Sequence, residues 1–330
     1  ALGNIQCNNI EVGDGVVVTI EEDTYVEALN NVNTNLTGKI IVKNTGNLVQ
    51  RCDSKPSSAR IEHKKTTGIK RKWDYVYWGT PITQNMFSNK PSPFDIGYRR
   101  QSGPGGGWKS LNATSTVGEG FILRVGDLAP YNDGTEGYVT NWQINGTANN
   151  GVFSVPVIQE NYASNPSNYN NAALLANPYP SAIDAGLFLK QNTDIDGVVY
   201  LWSAKTSYPG TGAYSQADFA AWNLSGTVNT SPIPMEINGK IASGQGFIVR
   251  ALNSGEVTFT NCMRLSGSGS NSNFFRTAAS EETTETKDRF KLNLTNNGDV
   301  FSQILIAYSE NSTSGYDRLY DAARFSSGTV

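Results

Sequence analysis

Gly118-Glu119-Gly120-Phe121-Ile122-Leu123-Arg124 is answered later in the chain by Gly244-Gln245-Gly246-Phe247-Ile248-Val249-Arg250. A Gly-x-Gly turn, an apolar run and a closing arginine are written twice. The landmarks around each copy recur in the same order. Tyr77-Trp78-Gly79-Thr80-Pro81 with Phe87 downstream corresponds to Ala176-Asn177-Pro178-Tyr179-Pro180 with Phe188 downstream. Ile96-Gly97-Tyr98 before Trp108 corresponds to Val199-Tyr200-Leu201-Trp202 before Trp222. The offset grows from 97 residues at Pro81 and Pro178 to 126 at Gly118 and Gly244, as loop insertions in the second copy would produce. Each Gly-x-Gly precedes a strand-like run, whereas a dinucleotide loop follows a strand and opens a helix. The glycines therefore read as turn residues, and Phe121 and Phe247 as core. The duplication points to a built-up scaffold rather than a single catalytic pocket.

Residues 1–66 carry short runs rich in β-branched residues, among them Val16-Val17-Val18-Thr19-Ile20 and Ile40-Ile41-Val42, punctuated by turns such as Gly13-Asp14-Gly15. Strands this short with turns this frequent suit stacked coils of a small β-solenoid, with a flat sandwich edge as the alternative. From Trp73 onward, aromatic strands alternate with long Gly/Asn/Ser/Pro loops. Two short stretches read as helical: 181–190, with Ser181 as N-cap, and 216–222. Residues 265–287 read as a linker, and Asn296-Asn297-Gly298-Asp299 as the turn of a hairpin between 289–295 and 300–308. The fold expected is all-β: a solenoid-like segment over 1–70, two β-sandwich-like repeats over 71–165 and 166–276, and over 277–330 a linker and the start of a further β domain.

Lys and Arg number 26 against 29 Asp and Glu, a formal net charge of −3, so no basic surplus exists to neutralise phosphates and nucleic acid is not an expected partner. Only 17% of residues are charged, and neutral polar residues fill the remainder, as in extracellular β-proteins with long polar turns. No run of eighteen apolar residues marks a membrane span. The chain opens on Ala-Leu-Gly and ends on a polar run, so it is expected to be a processed piece of a longer polypeptide.

Histidine occurs once, at His63, inside the basic stretch Arg60 to Lys72, and is expected to be exposed. His-rich zinc sites are thereby excluded, and any Ser-His or Cys-His catalysis would have to use this residue. Two carboxylates could hydrolyse a glycoside without histidine, with Glu119, Asp184, Asp194, Asp196, Asp218 and Glu236 as candidates. Asp194-Ile195-Asp196-Gly197 is a fragment of a calcium loop, with an ordinary Asp-Gly turn as the plainer alternative; Asp317 and Asp321 form a second such fragment. Calcium is the one cofactor these patterns admit. Cys7 and Cys52 could tie the first strand of the N-terminal segment to its last by a disulfide, while Cys262 reads as a small buried residue. Trp108, beside Gly103-Pro104-Gly105-Gly106-Gly107, and Tyr208 and Tyr214, beside Gly210 and Gly212, are the candidate ligand-binding residues, because exposed aromatic faces stack on sugar rings. Trp78 and Trp202 lie within strands and read as core.

Several stretches together resemble secreted and surface proteins of Bacteroidota, especially flavobacteria, exported by the type IX secretion system. The resemblance rests on Cys7-Asn8-Asn9-Ile10-Glu11-Val12, Gly46-Asn47-Leu48-Val49-Gln50, Asp74-Tyr75-Val76-Tyr77-Trp78-Gly79-Thr80-Pro81 and Asn177-Pro178-Tyr179-Pro180-Ser181-Ala182-Ile183-Asp184. It continues through Ile241-Ala242-Ser243-Gly244-Gln245-Gly246-Phe247, Met263-Arg264, Asn273-Phe274-Phe275-Arg276 and Leu292-Asn293-Leu294-Thr295-Asn296. It implies an extracellular or cell-surface, non-catalytic stalk or adhesive module, often ahead of a C-terminal sorting domain that is not seen here. The partners implied are an extracellular glycan or surface and the type IX secretion machinery. Exposed strand edges add a homo-oligomer. A region of a secreted polysaccharide-degrading enzyme is the alternative, and a component bound to the secretion machinery a third reading.

Overall fold

The first sixty-odd residues coil. β1 (Ile5–Cys7), β2 (Ile10–Val12) and β3 (Val17–Ile20) make one turn of the coil. β4 (Tyr25–Ala28), β5 (Val32–Thr34) and β6 (Lys39–Val42) make a second, and β7 (Asn47–Gln50) and β8 (Arg60–Thr66) a third. Successive turns pair in parallel as β1-β4-β7, β2-β5 and β3-β6-β8. Ile5 faces Val26 and Val26 faces Leu48, so one coil takes 21 to 22 residues. This is the expected β-solenoid, with Ile20, Val26, Ile40, Val42 and Leu48 stacked inside. The computed structural model describes residues 3–54, 57–83, 90–111, 116–126, 137–160, 169–204, 208, 214, 218–229, 237–272, 288–296 and 301–322.

β9 (Tyr75–Trp78), β10 (Phe94–Gln101), β11 (Gly107–Ser110) and β12 (Phe121–Val125) form an antiparallel sheet of order β11-β10-β12-β9. β13 (Asn141–Thr147) then leaves this sheet and pairs with β8, extending the solenoid sheet to β13-β8-β6-β3. β14 (Phe153–Val157) leads to the second copy. There β15 (Ala172–Ala176), β16 (Ile183–Asp184), α1 (Ala185–Gln191), β17 (Val199–Trp202), β18 (Phe219–Asn223), β19 (Gly226–Asn229), β20 (Lys240–Ile241) and β21 (Gly246–Arg250) follow. The first four strands of the order β15-β21-β17-β18-β19 repeat β9-β12-β10-β11 of the first copy, and β19 is added at the edge. β22 (Gly255–Phe259) pairs back with β14, and β23 (Arg289–Thr295) with β24 (Phe301–Ala307) makes the C-terminal hairpin.

The duplication holds to the residue. Phe121 faces Trp78 in the first sheet, and Phe247 faces Leu175 in the second. On the other side of the motif strand, Tyr98 faces Ile122 as Tyr200 faces Ile248. Phe121 and Phe247 are both fully buried, as the motif implied. The segments are not strung end to end. One apolar core runs from solenoid residues such as Ile20 and Val42 through Trp78, Phe121 and Trp142 of the first repeat.

Several expectations are corrected. The helix begins later than expected, because the Asp184 carboxylate accepts the Leu187 amide at 2.9 Å, while Ser181 Oγ accepts Arg264 Nε instead. Residues 219–222, expected to be helical, are strand, since Val199 to Trp202 pair with them in register; 216 and 217 lie outside the described residues. The start of the expected linker is docked: Ser270 and Asn271 are buried, and Asn271 donates to the Gly46 carbonyl and accepts from Ser243 N. Residues 273–287 and the hairpin turn 297–300 lie outside the described residues.

Candidate functional site

Alternation along β9 sends Val76 and Trp78 into the first core and Tyr75 and Tyr77 to the opposite face, where the second repeat's sheet arrives. Tyr77 stacks on Trp202 with centroids 5.7 Å apart and meets the edge of Trp108 at 6.3 Å. Trp202 meets Tyr214 at 6.5 Å, and Tyr214 lies 4.9 Å from Tyr75. Tyr214 stacks on Tyr208 at 4.2 Å and donates its hydroxyl to the Trp73 carbonyl at 2.8 Å. Tyr208 in turn meets Trp73 at 5.8 Å. A continuous belt of rings thus runs from Trp108 to Trp73, and Trp108, Tyr208 and Tyr214 all belong to it.

The belt is graded in exposure. Trp108 is 42% exposed and Tyr77 is buried, whereas Tyr208, Tyr214, Trp73 and Trp202 are partly covered. Burial holds the Tyr77 and Tyr214 phenols well above their ordinary range, so both stay neutral donors. Sequence reasoning placed Trp202 in the core and did not single out Trp73, Tyr75 or Tyr77. The period-two aromatic run Trp73-Asp74-Tyr75-Val76-Tyr77 was the available signal.

A partly enclosed cavity of ≈ 210 Å³ lies against the Gly-rich loop. Its walls come from the end of β10, the Gly-rich loop, Glu119 of the first repeated motif, β14 and β15. Arg100 lines it and sits across the strand pair from Trp108, with its guanidinium carbon 5.6 Å from the Trp108 ring centroid. Arg100 is therefore the link between the cavity and the Trp108 end of the belt.

The candidate catalytic carboxylates among the described residues are each engaged by different partners. Glu119 accepts the Thr116 amide, Asp184 caps α1, and Asp218 is buried with its carbonyl accepting Ser203. Asp194 faces Asn253, whereas Asp196 is buried and accepts the Tyr200 hydroxyl at 3.2 Å. Burial pushes the Asp196 carboxyl up to about 6. Glu236 lies outside the described residues. Asp194 and Asp196 thus serve different partners, and among the described residues no three His, Cys, Asp or Glu side chains gather as a metal would need. Asp317 accepts Thr313 N and Oγ1, and Asp321 accepts the Asp317 amide, so this pair ties a turn.

The expected Cys7–Cys52 disulfide is absent, and all three thiols are free. Cys7 pairs with Ala28 in β4, and Ala28 with Gln50 in β7, so an entire coil separates the two cysteines. Two strand spacings amount to roughly 9.5 Å, beyond the ~7 Å that a disulfide can bridge. Cys7 Sγ instead contacts the Glu27 carbonyl, and Cys52 Sγ contacts Ser54 Oγ. Cys262 is exposed rather than buried, because it sits in a short 3₁₀ turn after β22 and not in the strand.

His63 is buried, not exposed, because it continues the interior column Ile20–Val42 into the third coil, where the second repeat covers it. Its Nε2 lies 3.0 Å from Ser243 Oγ, whose own proton goes to the Tyr179 carbonyl at 2.7 Å. The ring therefore donates to the serine, which fixes the Nε2–H tautomer. This is the opposite of a catalytic Ser-His pair, in which the ring must accept. Lys65, also buried, donates to the Asn44 carbonyl at 3.0 Å, and burial holds its amine down to about 7. Arg264 completes this seam, reaching Leu48 O, Gln50 O, Ser181 Oγ, Asn150 Oδ1 and Asn261 Oδ1 over the Tyr179 ring.

A family model described as a domain of unknown function (DUF8693) matches residues 2–330. No curated protein and no solved structure matches the chain.

Proposed function

The chain belongs to the DUF8693 family, and we propose that it is a non-catalytic, secreted or cell-surface module that binds glycan through the aromatic belt. The observation that carries this is the convergence of Trp108, Tyr208 and Tyr214, distant in sequence, on one run of rings with an exposed end. Indole and phenol faces cover the C–H faces of sugar rings. The buried ionisable groups support a framework role, since His63 and Arg264 join the solenoid to the second repeat and Lys65 ties successive coils of the solenoid. The resemblance to type IX secretion cargo supports export and a cell-surface location.

The test is incubation of the purified chain with soluble and insoluble polysaccharides, scoring retention and released sugar. Retention without release, lost in Trp108→Ala and Tyr214→Ala, is expected. Sugar release would transfer the chain to the polysaccharide-degrading class.

Self-association has its own observation. On β23 and β24, Gln303 bonds the Asn229 amide and Leu305 approaches Gly226, so this face packs on β19. Phe290, Leu292, Leu294 and Ile304 are exposed on the opposite face. An apolar face of this kind suits a second copy of the chain.

A further inference from the structure

We propose that the outer edge of β11 is a docking site for an extended acidic strand of a partner protein, which adds to the first repeat's sheet where β19 stands in the second. Docking there is independent of glycan binding.

The two copies differ at this edge. In the second copy β18 lies between β17 and β19, whereas in the first its counterpart β11 pairs with β10 and ends the sheet. The matched tyrosines fix the correspondence. Tyr98 faces Ser110 as Tyr200 faces Ala221, and Ala221 is met on its other side by Val228 of β19. Among the described residues no strand meets Ser110 on that side. Only residues 111–120 lie between β11 and β12, against 224–245 between β18 and β21. Of these, 116–120 are taken up by the Gly-x-Gly turn and its bridge to Leu175.

The ladder shows which backbone groups are left over. Leu111 N donates to the Gly97 carbonyl at 3.0 Å, so Gly97 and Leu111 are a hydrogen-bonded pair. Bonded and non-bonded pairs alternate along an antiparallel ladder. Lys109 therefore bonds with Arg99, while Trp108 and Ser110 turn their N–H and C=O groups away from β10. Trp108, Lys109 and Ser110 are all exposed. Such an edge is a template for one more strand, held by main-chain hydrogen bonds.

Charge selects the strand. In the second copy Asn229 of β19 faces Ala220, and the place of Ala220 in β11 is held by Lys109. Lys109 faces Arg99 across the strand pair, and among the described residues no carboxylate pairs with it. Asp95 on β10 is held by Arg124 at 2.6 Å, and Glu119 lies 4.0 Å from Arg99. An acidic residue opposite Lys109 would complete a cross-strand pair. The same cation disfavours a second copy of the chain. The fullest antiparallel pairing of β11 with itself bonds Trp108 to Ser110 and sets the two copies of Lys109 directly opposite each other, which is destabilising. Strand β23 would bring Arg289 and Lys291 to the same cation.

The experiment is an NMR titration of the isotope-labelled full chain with the peptide Gly-Thr-Val-Glu-Val. This is the β19 sequence with glutamate in the asparagine position and one further valine. A second peptide carries lysine in place of the glutamate. A third carries N-methyl groups on both valines, whose amides would donate to the Ser110 and Trp108 carbonyls. Wild type is compared with Ser110→Pro, which removes an outward N–H and leaves the bonds to β10 in place, and with Lys109→Glu, each checked by thermal melting. The acidic peptide should saturate and move the Trp108 and Ser110 amide signals, with the lysine peptide about fivefold or more weaker. Lys109→Glu should reverse that order. N-methylation and Ser110→Pro should each abolish binding, and N-methylation alone decides the point should Ser110→Pro not fold. Absence of saturation, equal binding of the acidic and lysine peptides, or binding that survives N-methylation overturns the proposal. A wild-type mass that rises with concentration and becomes monomeric in Ser110→Pro would give the edge to a second copy and overturn it likewise.

Discussion

The Gly79 amide donates to the Gly244 carbonyl at 2.8 Å, and its counterpart in the second copy, Ala176, donates to the Gly118 carbonyl at 2.9 Å. The bridges Trp78–Gln245 and Glu119–Leu175 are reciprocal in the same sense. Each copy's Gly-x-Gly turn is completed by the strand of the other, as across a two-fold axis within one chain. The repeats are therefore one interlocked body, and the aromatic belt forms where their faces meet.

That interlock leaves no room at Gly79. A Cβ there would overlap the Ala176 methyl. Gly79→Ala should cost about 1–3 kcal/mol, as overpacking of a close-packed contact does. Gly105→Ala, whose Cβ would meet no neighbour, should cost less than Gly79→Ala, despite its positive φ. Urea denaturation midpoints compare them, and equal losses would show that the two strands separate freely.

Stability should rise with pH between about 7 and 10. Lys65 is held down to about 7 in the fold against an ordinary 10.5. In that window the unfolded chain binds a proton that the folded chain does not, so raising pH favours folding, by roughly 4 kcal/mol in the limit. His63 acts with the same sign below its ordinary 6.5, and Asp196, raised to about 6, with the opposite sign as pH climbs to that value. Above 7, Lys70 and Arg264 add slopes of the same sign, the first lowered by burial and the second held down to about 9, so the Lys65 share is the part that its substitution removes. Lys65→Met should flatten the slope of unfolding free energy there; an unchanged slope would assign the effect elsewhere.

Patterning carried the solenoid and the duplication into the sequence, because both follow from local runs and from Gly-x-Gly turns that bury Phe121 and Phe247. What it did not carry depends on long-range cover. His63 and Lys65 look like members of a solvated basic stretch until β13 and the second repeat close over β8. Asp184 takes the helix cap from Ser181 because Arg264, 83 residues away, claims the serine. The belt was legible at Trp108, Tyr208 and Tyr214, but the rings that join them required the register between copies.

Arg264 should be irreplaceable by lysine. Five separate acceptors surround its guanidinium in a buried site. One ammonium cannot serve that fork. Arg264→Met should destabilise by about 3–5 kcal/mol by leaving the acceptors unpaired, and Arg264→Lys should recover less than half of that in equilibrium unfolding. Full rescue by lysine would mean that charge, not geometry, holds the seam.

Alkylation under denaturing, non-reducing conditions should label Cys7, Cys52 and Cys262 alike, and reductant should leave the melting temperature unchanged. Under native conditions Cys262 should react first, being exposed, and Cys7 last, since burial pushes its thiol up and thins the reactive thiolate. A mass two hydrogens lighter before reduction would reinstate a bridge.

The C-terminal hairpin supplies the test of self-association. A two-stranded ribbon is marginal by itself, and its packed face meets β19 through a contact as polar as the Asn229 backbone amide donating to Gln303 Oε1. Its apolar side is the larger unsatisfied demand. If copies meet there, light scattering should show mass rising with concentration. Leu292→Lys with Leu294→Lys should hold the chain monomeric without lowering its melting temperature, because both residues are exposed in the single chain. A mass that stays monomeric across the range in wild type would remove self-association and leave that face without a second copy. A double variant that melts lower would instead mark the face as part of this chain's own packing.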